Sequence, residues 1–248
     1  MNRRRERRPA PRPGGDGDSP ILDVRNVCSG YAGLPVLFDV NLAIHRGELV
    51  TMLGGNGAGK STLLKTILGA VSTSSGELIY VGRRITSLPV YRRVCTGISY
   101  SPEGRRVFPN LTTRDNLVAG SHGLPKSGVR DQLHVVYDLF PLLAERSGQL
   151  AGSLSGGEQQ MLALGRALMQ RPTLLMVEEL SLGLAPVVTE RLYLALRAWC
   201  QDGFAVLVAE QFQRFEREHS DRWIVLERGT VVASGTKADA HLLSSGPS

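Results

Sequence analysis

Three features of this 248-residue chain predict an α/β fold with a mostly parallel central sheet. Leu174 to Glu179 (LLMVEE) is a continuous apolar run ending in two carboxylates, the pattern of a parallel strand covered on both faces. Apolar runs of strand length, such as Phe204 to Ala209 (FAVLVA), alternate with segments of helical periodicity. Gly54-Gly55-Asn56-Gly57-Ala58-Gly59-Lys60-Ser61 joins a short apolar strand, Glu48 to Leu53, to a helix, Ser61 to Leu68. The length suits one large α/β domain or two small ones, and an apolar fraction of 42% is enough for a sizeable core.

Residues 1–20 hold six Arg against Glu6, Asp16 and Asp18 and are rich in Pro and Gly. Such a segment cannot bury a core and reads as a disordered tail. Contact with anionic lipid or nucleic acid, and a solvated arm without function, are both open readings of it. Ile21 to Tyr31 alternates partially and reads as a strand ending in a loop. Val36 to His45 alternates again, with Asp39 and Asn41 facing away from Val40, Leu42 and Ile44. Arg46-Gly47 is a turn, and Gly69 ends the helix that began at Ser61. Glu77 to Val81 reads as a strand followed by a hairpin-like turn to Arg84. Leu88-Pro89 opens a short helix, Val90 to Val94, before a strand at Ile98 to Ser101.

A helical subdomain is expected as an insert at 104–150, inside an α/β core of 21–103 and 151–248. Thr112 or Thr113 caps a helix over Asn116 to Ala119. Val129, Leu133, Val136, Leu139 and Phe140 make a helical stripe. A helix from Glu158 to Gln170 is closed by Arg171-Pro172. After the LLMVEE strand, Val188, Leu192, Ala195 and Trp199 mark the buried face of another helix. Strand Ala205 to Ala209, helix Phe212 to His219, strand Arg222 to Leu226, turn Glu227 to Thr230 and strand Val231 to Ala233 complete the order. An antiparallel β part is expected near the N-terminus.

Composition removes several classes of function. Cys28, Cys95 and Cys200 are odd in number and far apart, which argues for reduced thiols and against a disulfide framework or a Cys-based metal site. His45, His122, His134, His219 and His241 form no ligand spacing. Asp115, Asp138 and Glu145 fit solvated helix faces. No apolar run approaches the ~18–20 residues that span a bilayer. The charged N-terminus lacks the apolar segment of a secretory signal. If the protein moves something across a membrane, other chains form the pore.

The glycine-rich stretch fits G-x-x-x-x-G-K-[ST], a phosphate-binding loop. Its glycines let the backbone curl so that successive N–H groups point inward at phosphate oxygens. The following helix adds unpaired N–H groups and the positive end of its dipole. Lys60 brings a mobile positive charge, and the Ser61 hydroxyl is a hard oxygen ligand for Mg²⁺. Leu154-Ser155-Gly156-Gly157-Glu158-Gln159-Gln160 offers a second anion site of a similar kind: a serine hydroxyl, exposed N–H groups and a helix start.

Two phosphate-binding surfaces in one chain, in this order, resemble the ATP-binding cassette (ABC) ATPases of the P-loop NTPase class, whose signature motif reads LSGGQ. The resemblance covers nearly all of residues 21–240. It implies that two subunits close head-to-tail on two ATP molecules. ATP would lie on Tyr31, Gly54, Asn56, Gly57, Ala58, Gly59, Lys60, Ser61 and Thr62 of one chain and on Ser155, Gly156, Gly157 and Glu158 of the other. Tyr31 matches the aromatic that stacks on adenine, against the plain reading of a loop-surface tyrosine. Ser61, Glu178 and Glu103 would serve Mg²⁺, Glu178 through water. Glu103 stands where most relatives carry Gln, and lining the groove for a membrane partner is its other reading. Glu179 would orient the attacking water, with Lys60 on the phosphates. Gln211, where most relatives carry a switch His, would contact the γ-phosphate; an amide cannot carry a proton as His can. Ser181 to Ala185 (SLGLA) matches the loop that crosses to the partner.

PEGRRVFPNLT, LSGGEQQMLALGRALM, SLGLAP and EQF look like the ATP-binding subunits of branched-chain amino acid importers. That branch implies transmembrane permease subunits, a second ABC ATPase subunit (the same or a sister chain), a solute-binding protein indirectly, and a peripheral place on the cytoplasmic face of the membrane. No specific nucleic acid is expected. Where the branch reads Asp-Glu-Pro, this chain has Glu178-Glu179-Leu180. An ATP-gated, weakly hydrolysing subunit is therefore one alternative. A nucleic-acid machine built on the same cassette is another, supported only by the arginine-rich tail.

Overall fold

Alternation along the strands becomes two sheets and two apolar layers. The computed structural model describes residues 19–211 and 219–239. The tail up to residue 18 and most of the expected helix from Phe212 to His219 lie outside the described residues. β1 (Leu22–Tyr31), β2 (Leu34–Ile44), β4 (Thr73–Tyr80) and β5 (Arg83–Arg84) form an antiparallel sheet in the order β2-β1-β4-β5. β3 (Leu49–Leu53), β6 (Ile98–Ser101), β7 (Leu174–Glu178), β8 (Ala205–Glu210), β9 (Arg222–Glu227) and β10 (Thr230–Thr236) form the second sheet, in the order β10-β9-β3-β8-β7-β6. All its pairings are parallel except β10 on β9. The expected fold class is the one observed.

The continuous apolar strands are explained by their two covered faces. Leu174 and Met176 of β7, with Ala205, Leu207 and Ala209 of β8, face a layer shared with the antiparallel sheet and α1 (Lys60–Leu68). Leu175, Val177, Val206 and Val208 face the opposite layer, built from α6 (Gly156–Leu168) and α7 (Pro186–Gln201). Between β5 and the insert lies α2 (Val90–Cys95). The insert holds α3 (Thr113–Ala119), α4 (Lys126–Leu139) and α5 (Pro141–Glu145). Its two ends are zipped together by Thr113 N–H to the Gln149 carbonyl at 2.8 Å and Ala151 N–H to the Leu111 carbonyl at 2.9 Å.

Several boundaries differ from expectation for identifiable reasons. β4 starts at Thr73 instead of Glu77 because β1 carries its first residues in antiparallel register, Ser29 opposite Thr73. Thr112 is the cap of α3: its hydroxyl accepts from Asp115 N–H. α6 starts at Gly156 instead of Glu158 because Ser155 and Glu158 form a reciprocal capping box. On α7 the buried face is Thr189, Leu192, Tyr193, Leu196, Trp199 and Cys200, with Val188 and Ala195 at its edge. A helix covering a sheet needs a wider stripe than one residue per turn.

Candidate functional site

All the parallel strands end at one edge, and the expected chemistry gathers there, where open α/β sheets bind ligands. β3 runs into the glycine-rich loop, β7 ends at Glu178, and β8 ends at Glu210. Gly59 closes the loop at φ +107°, a conformation side chains avoid, and a Cβ there would meet Leu37 Cδ2 at 2.9 Å. Only glycine lets the loop curl this close to β2. No side chain caps the start of α1, and its first turn carries no acidic residue. The N–H groups of that turn are thus left for an anion.

Lys60 is only 6% exposed, and its Nζ donates to the carbonyls of Gly54 at 2.7 Å and Gly55 at 3.2 Å. Glu179 Oε1 lies 4.0 Å from the same nitrogen, with its own side chain 9% exposed. Glu179 follows β7 in a left-handed conformation, φ +53°, and its N–H donates to the Ala209 carbonyl at 2.8 Å. A non-glycine residue held there is strained, and such strain gathers at functional sites. Gln211 Nε2 donates to Asn56 Oδ1 at 2.9 Å and reaches both Glu179 oxygens at 3.3 and 3.4 Å. The expected Lys60, Asn56, Glu179 and Gln211 are therefore brought together.

Glu178 is buried and accepts the Tyr100 hydroxyl of β6. Burial, and then the hydrogen bond to Glu178, raise the Tyr100 pKa, so this phenol stays protonated and donates. Among the described residues no three His, Cys, Asp or Glu gather as a metal cluster. A divalent ion held by one hydroxyl, one carboxylate and substrate oxygens needs none, and Mg²⁺ is commonly bound in that way. Ser61 in the first turn of α1 and Glu178 fit that donor set. Glu103 is exposed in the loop after β6 and, among the described residues, its carboxylate makes no hydrogen bond or ion pair. Tyr31 is 45% exposed at the end of β1, free to offer a ring face.

The second anion surface expected from sequence lies at the start of α6. Ser155 Oγ accepts from Glu158 N–H at 3.4 Å, and Glu158 Oε2 accepts from Ser155 N–H at 2.7 Å. The Glu158 carboxylate thus serves the cap. This helix packs on α3, α5, β6 and β7.

Three residues at the site were not singled out from sequence. Glu210 accepts the Ser181 N–H and the Ser181 hydroxyl, each at 2.9 Å. Its signal was available: AVLVAE ends in a carboxylate at the same sheet edge as LLMVEE. Tyr100 carried no signal short of strand order. The Arg105 guanidinium lies over Gly156, where an added Cβ would meet its Nη2 at 2.9 Å.

The family model described as ABC transporter matches residues 37–181. The high-affinity branched-chain amino acid transport ATP-binding protein BraG of Pseudomonas aeruginosa is 41% identical over 218 residues, covering 88% of this chain and 94% of its own. The probable branched-chain amino acid transport ATP-binding protein LivF of Archaeoglobus fulgidus is 37% identical, covering 84% and 89%. The fold is also that of the ADP conformation of MJ1267, an ATP-binding cassette of an ABC transporter, with TM-score 0.84, 22% identity and coverage of 92% and 96%.

Proposed function

We propose a function from one premise: this chain belongs to the ABC transporter family. It binds MgATP, hydrolyses it, and by closing and opening an ATPase dimer drives transmembrane permease subunits that import branched-chain or related amino acids. Similarity to BraG and LivF supports the substrate class. No helix of the described residues is long and apolar enough to cross a membrane, so the path for the substrate belongs to the permease subunits. The chain works peripherally, on the cytoplasmic face, with a second ATPase subunit and, indirectly, a solute-binding protein.

The observation that carries hydrolysis is the convergence of a buried cation and a partly buried carboxylate, Lys60 Nζ and Glu179 Oε1 at 4.0 Å, beside an uncapped helix N-terminus. Loop N–H groups and Lys60 hold the phosphates and neutralise charge that grows in the transition state. Glu179 accepts a hydrogen bond from water and aims it at the γ-phosphate. Gln211, already on Glu179 and Asn56, links that carboxylate to the loop. Mg²⁺, when bound at Ser61 and Glu178, adds positive charge to the phosphate oxygens. Tyr31 gives the adenine a face to stack on. Ser155, Gly156 and Gly157 offer N–H groups to the nucleotide held by the partner subunit. The SLGLA segment from Ser181 runs toward that partner.

The test is Lys60→Ala. ATPase turnover measured as phosphate release is expected to fall to background, and binding of a fluorescent ATP analogue is expected to weaken. Wild-type turnover in the purified variant would remove the assignment of this nucleotide site.

A further inference from the structure

We infer that Glu210 is a positioning residue that holds Glu179 in its working conformation. The inference rests on the water-orienting role proposed for Glu179. Glu179 stands between two anchors. Before it, its own N–H is bound to the Ala209 carbonyl at 2.8 Å. Two residues after it, Ser181 gives its N–H to Glu210 Oε1 and its hydroxyl to Glu210 Oε2, both at 2.9 Å. Residues 209 and 210 are consecutive on β8, so one strand end pins the chain on both sides of the strained Glu179, φ +53°.

Glu210 is itself fixed. Its side chain is 2% exposed, and its carbonyl accepts the Gly54 N–H at 3.2 Å, at the start of the phosphate loop. A buried carboxylate is costly unless its oxygens are bound, and two charge-assisted bonds to one residue also fix that residue's orientation. Releasing the second anchor lets the segment from Glu179 to Ser181 relax out of the left-handed conformation. The carboxylate then leaves its place beside Lys60. A displacement on the order of 1 Å can cost about 100-fold in rate. Phosphate binding does not depend on this anchor, because Lys60 and the loop N–H groups are held by α1 and β3.

The experiment measures kcat, and ATP affinity with a fluorescent analogue, in the full chain and in variants. Glu210→Ala is expected to lower kcat about 100-fold with analogue affinity within about threefold of wild type. Glu210→Gln keeps an oxygen for the Ser181 N–H and an amide N–H for a turned hydroxyl, and is expected to restore most of the rate. Because Glu210 acts through Glu179, adding Glu210→Ala to Glu179→Gln is expected to cause no further loss. Should Glu210→Ala fail to fold by circular dichroism, Glu210→Asp, which withdraws the charge by one methylene, carries the same expectation for kcat. Near-wild-type turnover in the Ala or Asp variant while Glu179→Gln is inactive overturns the inference alone. Losses that multiply in the double variant, or a Gln variant as slow as Ala, also overturn it. Full turnover in Glu179→Gln removes the inference together with the role proposed for Glu179.

Discussion

Glu178 closes β7 with its carboxylate turned to the Tyr100 hydroxyl on the neighbouring strand. The resemblance places an aspartate there, one methylene shorter. Mg²⁺ favours oxygen ligands near octahedral positions at roughly 2.0–2.1 Å, so if Glu178 serves the ion as proposed, the arm one methylene longer would be less well matched to it than aspartate. Glu178→Asp is expected to raise turnover, up to about tenfold, which needs only ~1.4 kcal/mol of barrier. ATP affinity should change less, since the proposed phosphate contacts are made by Lys60 and the loop. The same substitution leaves the Tyr100 hydroxyl without its acceptor, at a cost of about 1 kcal/mol, so Tm is expected to fall by about 2–4 °C. Faster turnover with lower Tm is the signature to look for in phosphate release and thermal melts. Equal or lower turnover in the Asp form would mean that Tyr100 already holds Glu178 where it works. Residues of this kind divide by sequence distance. Lys60 and Ser61 are legible because their spacing lies within one loop. The bonds from Tyr100 to Glu178 and from Ser181 to Glu210 span 78 and 29 positions and join neighbouring strand ends, so they follow from strand order, which no local pattern states.

At the level of elements, α1 is held at both ends by different means. Its N-terminus is left uncapped at the proposed phosphate site, and its C-terminus rests on a buried cation. Arg93 of α2 is 2% exposed and donates to the carbonyls of Thr66, Ile67, Leu88 and Thr86, each at 2.8 Å. Two of these are in the last turn of α1, where carbonyls lack helical partners and the dipole favours a cation. Arg93→Ala takes a donor from four carbonyls, of which, among the described residues, only Thr66 keeps another, the Gly69 N–H at 3.1 Å, and is expected to cost about 3 kcal/mol or more, seen as a Tm fall of about 6–12 °C. Arg93→Lys cannot fork to four acceptors and is expected to recover only part of the loss. Arg92→Ala, on the exposed side of α2, is the control and should stay within about 0.5 kcal/mol. An Arg93→Ala variant as stable as the control would mean that water replaces the guanidinium. The elements themselves were largely legible, because alternation and helical stripes are local. Their ends were less so. The start of β4 depends on pairing with β1. The start of α6 depends on which residue caps it, and Ser155 with Glu158 three residues on was the readable cue.

The two proposed anion-binding surfaces stand on separate elements, the loop before α1 and the start of α6. For both to close on one nucleotide, the second has to come from another chain, and that argues for an assembly that ATP itself holds together. Hydrolysis then removes the bridge and lets the two chains part. Blocking hydrolysis without touching phosphate binding should trap the closed form. Glu179→Gln does this: the amide keeps the size and the contact distance to Gln211 but loses the negative charge that polarises water. The variant is expected to bind MgATP and elute as a dimer on sizing, alone or with its sister ATPase, and to return to monomer with ADP. Adding Ser155→Ala removes the cap of α6, at about 1 kcal/mol, and loosens the turn that presents Gly156 and Gly157. Since each dimer holds two such contacts, dimerisation should weaken more than ATP binding to the single chain does. A Glu179→Gln protein that stays monomeric with MgATP, with the partner ATPase also present, would mean that the two surfaces do not meet across chains.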